Sequence, residues 1–516
     1  MRLTLHASAV TALVVAAVLG CAGCRRHASQ KPDSADGKND EQKDAKKGEK
    51  KSGSTGSKKK QNRIVIGVND SGGAYPGVVA NDGATPGANS RFSAAGLDVE
   101  IKLIRGVKER LAAFDSGEVD IMVLTLDYFA NLVPVYRDKG ESLQAFLLAD
   151  WSRGNLGIVS TPKIKSLEAL RDAKIATTRN TPTHYLFLNL LEKSNLPKAD
   201  IDKLKSNIVF ATKTPLAGDM FRRGEVDAVA ISEPYLSQAT VGGKGRLLVS
   251  TATASNLVGD VLFAREELLK SHEAELTKFA RAWFEGVAQL DKDPTGSVQI
   301  IAKALQQPVD ETRAVLSKIK PATFADNWEL FGLDNKRAPY LKLFDDAGRF
   351  WANEGLVKAV PEASLTRWLK PLEALVEEHA NERVAEHWRF NAGGPKGHAV
   401  PLLTRSVPIY FAPGGDTLDA NARALLDELA ETLSELGNAY VRVEVNTDNV
   451  GAREINVKLS KHRALAIIEY LTTQHGLPRA RFSAVGNGPD KPVGENASEA
   501  GRALNRRTEF AIIPNE

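Results

Sequence analysis

Two side chains near the C-terminus have the types and placement to hold a small charged molecule. Asp448 closes an alternating stretch in which Val441, Val443 and Val445 interleave with Arg442 and Glu444, the pattern of a half-buried strand. Arg463 lies on a following segment whose Ala464, Ile467, Ile468 and Leu471 recur at helical spacing. A carboxylate at a strand end and a guanidinium on the next helix can face one cleft. Such a pair suits a zwitterionic amino-acid head group, with the ammonium on Asp448 and the carboxylate held bidentately by Arg463. The same two residues can instead pair with each other, or Asp448 can close an Asx turn.

The elements that must position this pair are legible around it. Val407, Ile409 and Phe411 alternate as a first strand, Leu425, Leu426, Leu429 and Leu433 form one face of a helix, and Thr508, Phe510 and Ile512 mark a last strand. With Thr447-Asp448-Asn449-Val450-Gly451, Asn456, Leu459-Ser460, Arg463-Ala464 and the run Gly501 to Arg507 in order, this part resembles the OmpA-like peptidoglycan-binding domain. The resemblance implies a separate βαβαβ-type domain over 401–516 that grips a wall-peptide diamino acid through Asp448 and Arg463. Thr447, Asn456, Asn505 and Arg506 would support the site, and Arg502 and Arg507 would be structural or surface charges. The family usually carries Gly-His where Val445-Asn446 stands here, a departure that bears on affinity.

Upstream, ordered sequence starts at Ile64-Val65-Ile66-Gly67-Val68, and short β-branched runs then alternate with amphipathic helical patterns, as in an α/β domain. The alternation contains a repeat. Gly117-Glu118-Val119-Asp120 leads into Ile121 to Leu124, and Gly224-Glu225-Val226-Asp227 leads into Ala228 to Ile231, each after a helical stretch that the glycine ends. Each strand exits into a polar loop, Thr125-Leu126-Asp127 or Ser232-Glu233-Pro234. That is the carboxyl end of the sheet, where open α/β sheets bind ligands. Two such lobes closing on a small molecule by a hinge is the expected architecture.

This portion resembles the periplasmic substrate-binding proteins of ABC importers in the nitrate, sulfonate and taurine group. The residues that carry the resemblance are Gly96 to Glu100, Gly117 to Asp120, Thr125 to Asp127, Ser152-Arg153-Gly154, Thr181 to His184 and Gly224 to Pro234. It implies a two-lobed domain over 62–380, with lobe II at about 155–250. The pocket would be lined by Asn69, Asp70, Ser71, Gly72, Thr125, Asp127, Trp151, Ser152, Arg153, Thr181, Thr183, His184 and Glu233. A helix starting at Pro182 would offer amides and hydroxyls to an anion, and Arg153 a fixed charge. Alternatives stand beside these roles: a lobe-to-lobe salt bridge for Arg153, a helix-end position for His184, helix capping for Asp127 and Glu233, and core packing for Trp151. The segment Asn81 to Ala94 is expected to be a loop insertion at the cleft edge. Leu276, Phe279, Trp283 and Val287 form a core-facing helical stripe, and the chain is expected to stay mostly helical to about Ala380.

The first residues have the form of a signal peptide over 1–20, with an apolar run from Ala7 to Leu19. Val18-Leu19-Gly20-Cys21 looks like a lipobox, so Cys21 is the expected lipid attachment, with Cys24 as the alternative. A plain cleaved signal also fits. Between Arg25 and Arg63 no aliphatic side chain larger than Ala occurs. Residues 21–61 are therefore a lipid anchor and charged tether, averaging roughly 35 Å end to end as a coil, and 381–400 a second linker.

The 68 basic and 64 acidic side chains of the 516 nearly cancel, which argues against a nucleic-acid surface. The two cysteines lie in the export segment, the nine histidines lack metal-ligand spacing, and no nucleophile elbow or phosphate loop occurs in context. The expected protein is a non-enzymatic lipoprotein without cofactor or metal, on the periplasmic side of the outer membrane of a Gram-negative bacterium. It would bind a small, anionic solute and the wall peptide, for import with an ABC permease or for sensing. Wall anchoring fits simple import awkwardly. A membrane-to-wall tether with a non-binding α/β spacer is the alternative, and an enzyme on the binding-protein scaffold a third.

Overall fold

In the computed structural model, which describes residues 63–334, 338–382 and 399–515, three sheets carry the chain. Cys21, Cys24, the signal segment and the charged tether lie outside the described residues, as do residues 383–398 of the second linker. The chain builds β1 (Arg63–Val68), β2 (Asp98–Leu103), β3 (Ile121–Thr125) and β4 (Leu143–Ser152), then crosses into a second lobe. That lobe holds β5 (Leu156–Ser160), β6 (Ile175–Thr178), β7 (Ile208–Ala211), β8 (Ala228–Ser232) and β9 (Arg246–Ser250). The return strand β10 (Gly259–Arg265) and the short β11 (Ile319–Pro321) complete the first lobe, whose order is β11-β4-β10-β3-β1-β2; the second is β7-β6-β8-β5-β9. The architecture is the expected pair of α/β lobes joined by two crossovers.

The repeat proves to be a structural corner, made twice. Gly117 and Gly224 take φ of 74° and 75°, the left-handed conformation that ends a helix. Their amides close on Phe114 and Phe221 carbonyls at 3.1 and 2.9 Å. Asp120 then pairs with the start of β1, its carboxylate accepting from the Val65 amide and its own amide donating to the Val65 carbonyl, at 2.8 and 2.9 Å. Asp227 does the same with Lys174, at the same two distances. The acidic residue thus sets the register between a returning strand and its parallel neighbour in each lobe.

Five helices bear on the site and its packing: α1 (Tyr75–Ala80), α2 (Leu126–Asp138), α3 (Pro182–Lys193), α4 (Glu273–Lys292) and α5 (Pro339–Asn353). The stripe Leu276, Phe279, Trp283 and Val287 is buried on α4, with Phe92 stacked on Phe279 at 4.9 Å between ring centroids. The segment Asn81 to Ala94 is more tightly built than a loop insertion: Arg91–Ala94 is a helical turn. Buried Asn81 donates to the Val99 carbonyl and accepts from Ser90 Oγ, so the segment belongs to the packing of the first lobe. The helical stretch to Ala380 is interrupted by β11, an edge strand paired with Asp150, Trp151 and Ser152 of β4, where its proline forfeits no inner ladder bond.

The C-terminal part folds as β12 (Leu403–Val407), α6 (Ala420–Glu435), β13 (Tyr440–Asn446), α7 (Arg453–His475), β14 (Phe482–Gly488), α8 (Glu499–Asn505) and β15 (Thr508–Ile513), with sheet order β12-β15-β13-β14. The first strand ends earlier than the alternation of Val407, Ile409 and Phe411 suggests, because Pro408 has no amide to donate to the ladder. Among the described residues no helix is long and apolar enough to cross a membrane. If the repeated corners are structural, Asp120→Ala should cost about 1–2 kcal/mol of stability and the wetter Asp227→Ala less, read from urea unfolding; a larger loss at Asp227 would contradict this assignment.

Candidate functional site

The wall-peptide candidate is assembled where β13 runs out. Val441, Val443 and Val445 are buried under α7 and hold the strand in register, so that Thr447 and Asp448 emerge at its end. Asp448 Oδ1 accepts from the Val450 amide at 3.1 Å, an Asx-type turn, and Oδ2 accepts from Arg506 Nη1 at 2.7 Å. Arg506 also reaches Glu499 at 2.6 Å. Asn456 donates to the Val450 carbonyl at 2.9 Å and so fixes the turn, while Thr447 Oγ1 donates to the Asp448 carbonyl at 2.8 Å.

Arg463 stands on the facing helix and donates to the Gly415 and Ala412 carbonyls at 2.8 and 3.1 Å, its guanidinium 4.8 Å from the Phe411 ring centroid. Half-burial lowers its pKa, and the charges of Asp416 and Asp448 oppose the shift. Asp448 and Arg463 therefore share one field while each is held by other partners. Asn505 is fully buried and serves the neighbouring loop, accepting from the Val493 and Gly494 amides and donating to the Gly494 carbonyl and Asn496 Oδ1. Asn446, one of the two departures from the family pattern, faces Asn487 and Glu509 and belongs to the sheet's polar ladder. The turn at Ala412 to Asp416 went unnoticed in the sequence; its Pro413-Gly414-Gly415 run was the available signal.

In the two-lobed part, the residues expected around a solute are distributed over several tasks. Asn69 and Ser71 bond to each other at 2.6 Å, and Asp70 turns to Arg105 at 2.9 Å. Gly72 and its neighbour Gly73 lie over the carboxylates of Asp150 and Asp260. Thr125 precedes the first turn of α2 and Thr181 caps α3, accepting from the His184 amide at 3.4 Å and meeting Thr183 Oγ1 at 3.0 Å. Trp151 is buried against Gly259, and Ser152 Oγ meets Thr251 Oγ1 at 2.7 Å across the two crossovers. Arg153 donates from Nη1 to Asn256 at 2.9 Å. Glu233 forms an ion pair with Lys318 that spans the lobes.

His184 is buried between Phe210 and Trp351, at 5.1 and 5.7 Å between ring centroids, and burial lowers its pKa to about 4. Trp351 comes from α5, lies 6.1 Å from Tyr185, and donates from Nε1 to the Asp127 carbonyl at 2.7 Å. A single indole thus joins the first turns of α2 and α3. Asn131 and Asn180 add a bond of 3.0 Å between the lobes.

Three carboxyls of the first lobe influence one another. Asp127 and Asp150 are buried, and Asp260, partly buried, faces Asp150 on the neighbouring strand. Burial pushes Asp127 up to about 7 and Asp260 to about 6, and Asp150 well above the carboxylate range, with the charge of Asp260 as its second cause. Burial thus favours the protonated, neutral form of Asp127 and Asp150, and the charges of Arg110 and Arg153 act in the opposite sense on Asp260 and Asp150. Asp150, Asp260, Lys318 and Trp351 were all missed. A lone carboxylate inside an apolar strand, as in Leu148-Ala149-Asp150-Trp151, was the signal that could have found the first.

Comparison with known proteins divides the chain in the same way. Residues 410–506 match the OmpA family, and residues 90–297 match the family described as NMT1/THI5 like. The chain is 32% identical over 143 residues to the outer-membrane lipoprotein YfiB of Pseudomonas aeruginosa, which covers 28% of this chain and 76% of that protein. It is 33% identical over 111 residues to the outer membrane protein Omp38 of Acinetobacter baumannii, 22% of this chain, and so spans only 31% of that relative's length. Among solved structures, the periplasmic sulfonate-binding protein SsuA from Methylobacillus flagellatus superposes with a TM-score of 0.48 at 17% identity, covering 64% of this chain and 97% of that one.

The raised carboxyl of Asp127 has a definite pH consequence. Its folded-state value lies above the unfolded one, so the stability it supplies is complete below about pH 4 and is lost as pH rises through 7. Asp127→Asn, which cannot ionise, should gain about 3–4 kcal/mol on the wild type between about pH 4 and pH 8, measured by urea unfolding at each pH. A constant difference between the two chains would show that Asp127 is not a buried acid.

Proposed function

Because the chain belongs to the OmpA family through residues 410–506 and matches NMT1/THI5-like proteins over residues 90–297, we propose that it is a non-enzymatic envelope protein in which a solute-binding part is anchored to the cell wall. The observation that carries the anchor is the placement of Asp448 at a strand end opposite Arg463 on the next helix, with Arg463 within the field of Asp448. A wall-peptide diamino acid presents its ammonium to Asp448, where Arg506 now sits, and its carboxylate to Arg463, with Thr447 and Asn456 keeping the turn in shape. Arg506 then keeps Glu499 as its partner. Exchange of one cation for another at Asp448 leaves the local charge balanced. Omp38 and YfiB are outer-membrane proteins by name, and the lipobox at Cys21 supports a lipid anchor in the same membrane.

The two-lobed part takes a small solute between α2 and α3, for import with an ABC permease or for sensing. A small anionic solute fits this part, because burial keeps Asp127 and Asp150 in their neutral, protonated form. The second reading, a spacer that binds nothing, draws support from Trp351 and from the ion pair of Glu233 with Lys318, which already join the lobes.

Purified sacculi should retain the full-length protein, and Asp448→Ala or Arg463→Ala should weaken retention by roughly thirtyfold or more, the loss of a charge-assisted contact. Undiminished retention of both variants, folded by circular dichroism, would overturn the anchor. A thermal-shift screen against amines, amino acids, neutral metabolites and sulfonates separates the two readings of the lobes: a shift with any class supports binding, a shift with sulfonates supports an anionic solute, and no shift with any class supports the spacer.

A further inference from the structure

The C-terminal domain meets the two-lobed part along the end of α6, the turn at 434–438 and the strand β12, away from Asp448 and Arg463. Asn256, in the crossover between β9 and β10, is held on both sides: its amide donates to the Glu435 carbonyl at 3.1 Å and its Nδ2 to the Ser434 carbonyl at 3.0 Å. The Asn438 amide donates to the Thr253 carbonyl at 3.2 Å. On lobe II, the Leu167 amide donates to the Leu402 carbonyl at 2.9 Å and the Thr404 amide to Glu168 at 3.0 Å.

The Glu435 side chain is buried and pairs with two cations from two different bodies. One is Lys193 at the C-terminal end of α3 in lobe II, itself buried and bonded to Asn189 at 2.8 Å. The other is Lys342 on α5, 3.2 Å away, and α5 is the helix whose Trp351 reaches α2 of the first lobe. One carboxylate therefore ties lobe II to an element packed on lobe I. A buried carboxylate between two cations holds them firmly, because removing Glu435 leaves Lys193 as an unpaired buried charge.

The same surface controls the pivot. A hinge motion must change backbone angles in the crossovers 153–155 and 251–258. These are laced together by Thr251, which meets Ser152 Oγ at 2.7 Å and accepts from the Gly154 amide at 2.9 Å, and by Arg153 bonded to Asn256. Through Asn256, the lacing continues into the C-terminal domain.

We propose that the C-terminal domain is a clamp on the hinge: docked through Glu435 and the turn at 434–438, it holds both lobes and the second crossover at one angle, so that the lobes change their separation only when it releases. Linkage then makes the coupling reciprocal: whatever favours a different lobe angle favours release of the wall-binding domain. The clamp rests on the two-lobed architecture and stands whether or not a solute binds; only its use as a solute signal depends on the function proposed above.

Hydrogen exchange on the full-length chain tests it. In the wild type, the amides of 251–258 and those of 434–438 should open together with one common free energy; independent opening at different free energies would overturn the clamp. Gly437→Val sets a Cβ within 2.6 Å of Ser255 Oγ and 2.8 Å of Asn256 Nδ2, and Glu435→Gln removes the charge between the lysines. In either variant the amides of 251–258 and of the last turn of α3 should exchange at least roughly tenfold faster, the loss expected when a buried ion pair is broken, while β13 and β15 keep wild-type protection. Unchanged protection of the crossover in a variant whose β13 and β15 remain protected would refute the proposal.

Discussion

The chain passes between its two lobes twice, and everything that the lobes can do to each other depends on how those two passages are held. Thr251 and Asn256 fasten the second passage to the first through Ser152, Arg153 and Gly154. Their bonds are short and partly buried, where water competes poorly. Arg153 is the instructive residue. Its sequence context suggests a ligand-facing cation, yet its guanidinium bonds Asn256 at the hinge, and its charge also acts on Asp150 of the first lobe.

The C-terminal domain divides its surface in a complementary way. One end, at β13 and α7, keeps Asp448 and Arg463 in temporary partnerships, with Arg506 and with the carbonyls of Ala412 and Gly415. Such partnerships cost little to exchange, since each replaces one charge-assisted bond by another of the same kind. The other end, at α6 and the turn after it, spends Glu435 on Lys193 and Lys342 inside a buried contact. Exposed pairs of this kind contribute little, but a buried one resists disruption strongly. Wall recognition and domain docking can therefore coexist on one small fold without competing for the same groups.

The repeated Gly-Glu-Val-Asp corners show how a motif can be conspicuous and purely architectural. Gly117 and Gly224 are needed for backbone angles, and Asp120 and Asp227 for an amide at or just before the start of the neighbouring strand, Val65 and Lys174. They stand at the opposite end of their strands from the polar loops that the repeat delivers. Their spacing located both lobes correctly while saying nothing about what the lobes hold.

Periodicity alone was enough to place the strands at Ile64, Ile121 and Ala228, the buried stripe of Leu276 to Val287, and the inward face of α7. These depend on short-range geometry, where side chains two or three to four positions apart share a face. Tertiary structure alone decided that Asp150 and Asp260 face each other, that Trp351 joins α2 to α3, that Glu233 meets Lys318, and that Glu435 lies between Lys193 and Lys342. Each of these brings together residues far apart in the chain, and charge or aromatic character carries no label for its eventual partner. The sequence could announce a buried acid in an apolar strand, but only the folded chain determines which charges it will meet, and so the sign of the field that a ligand would feel.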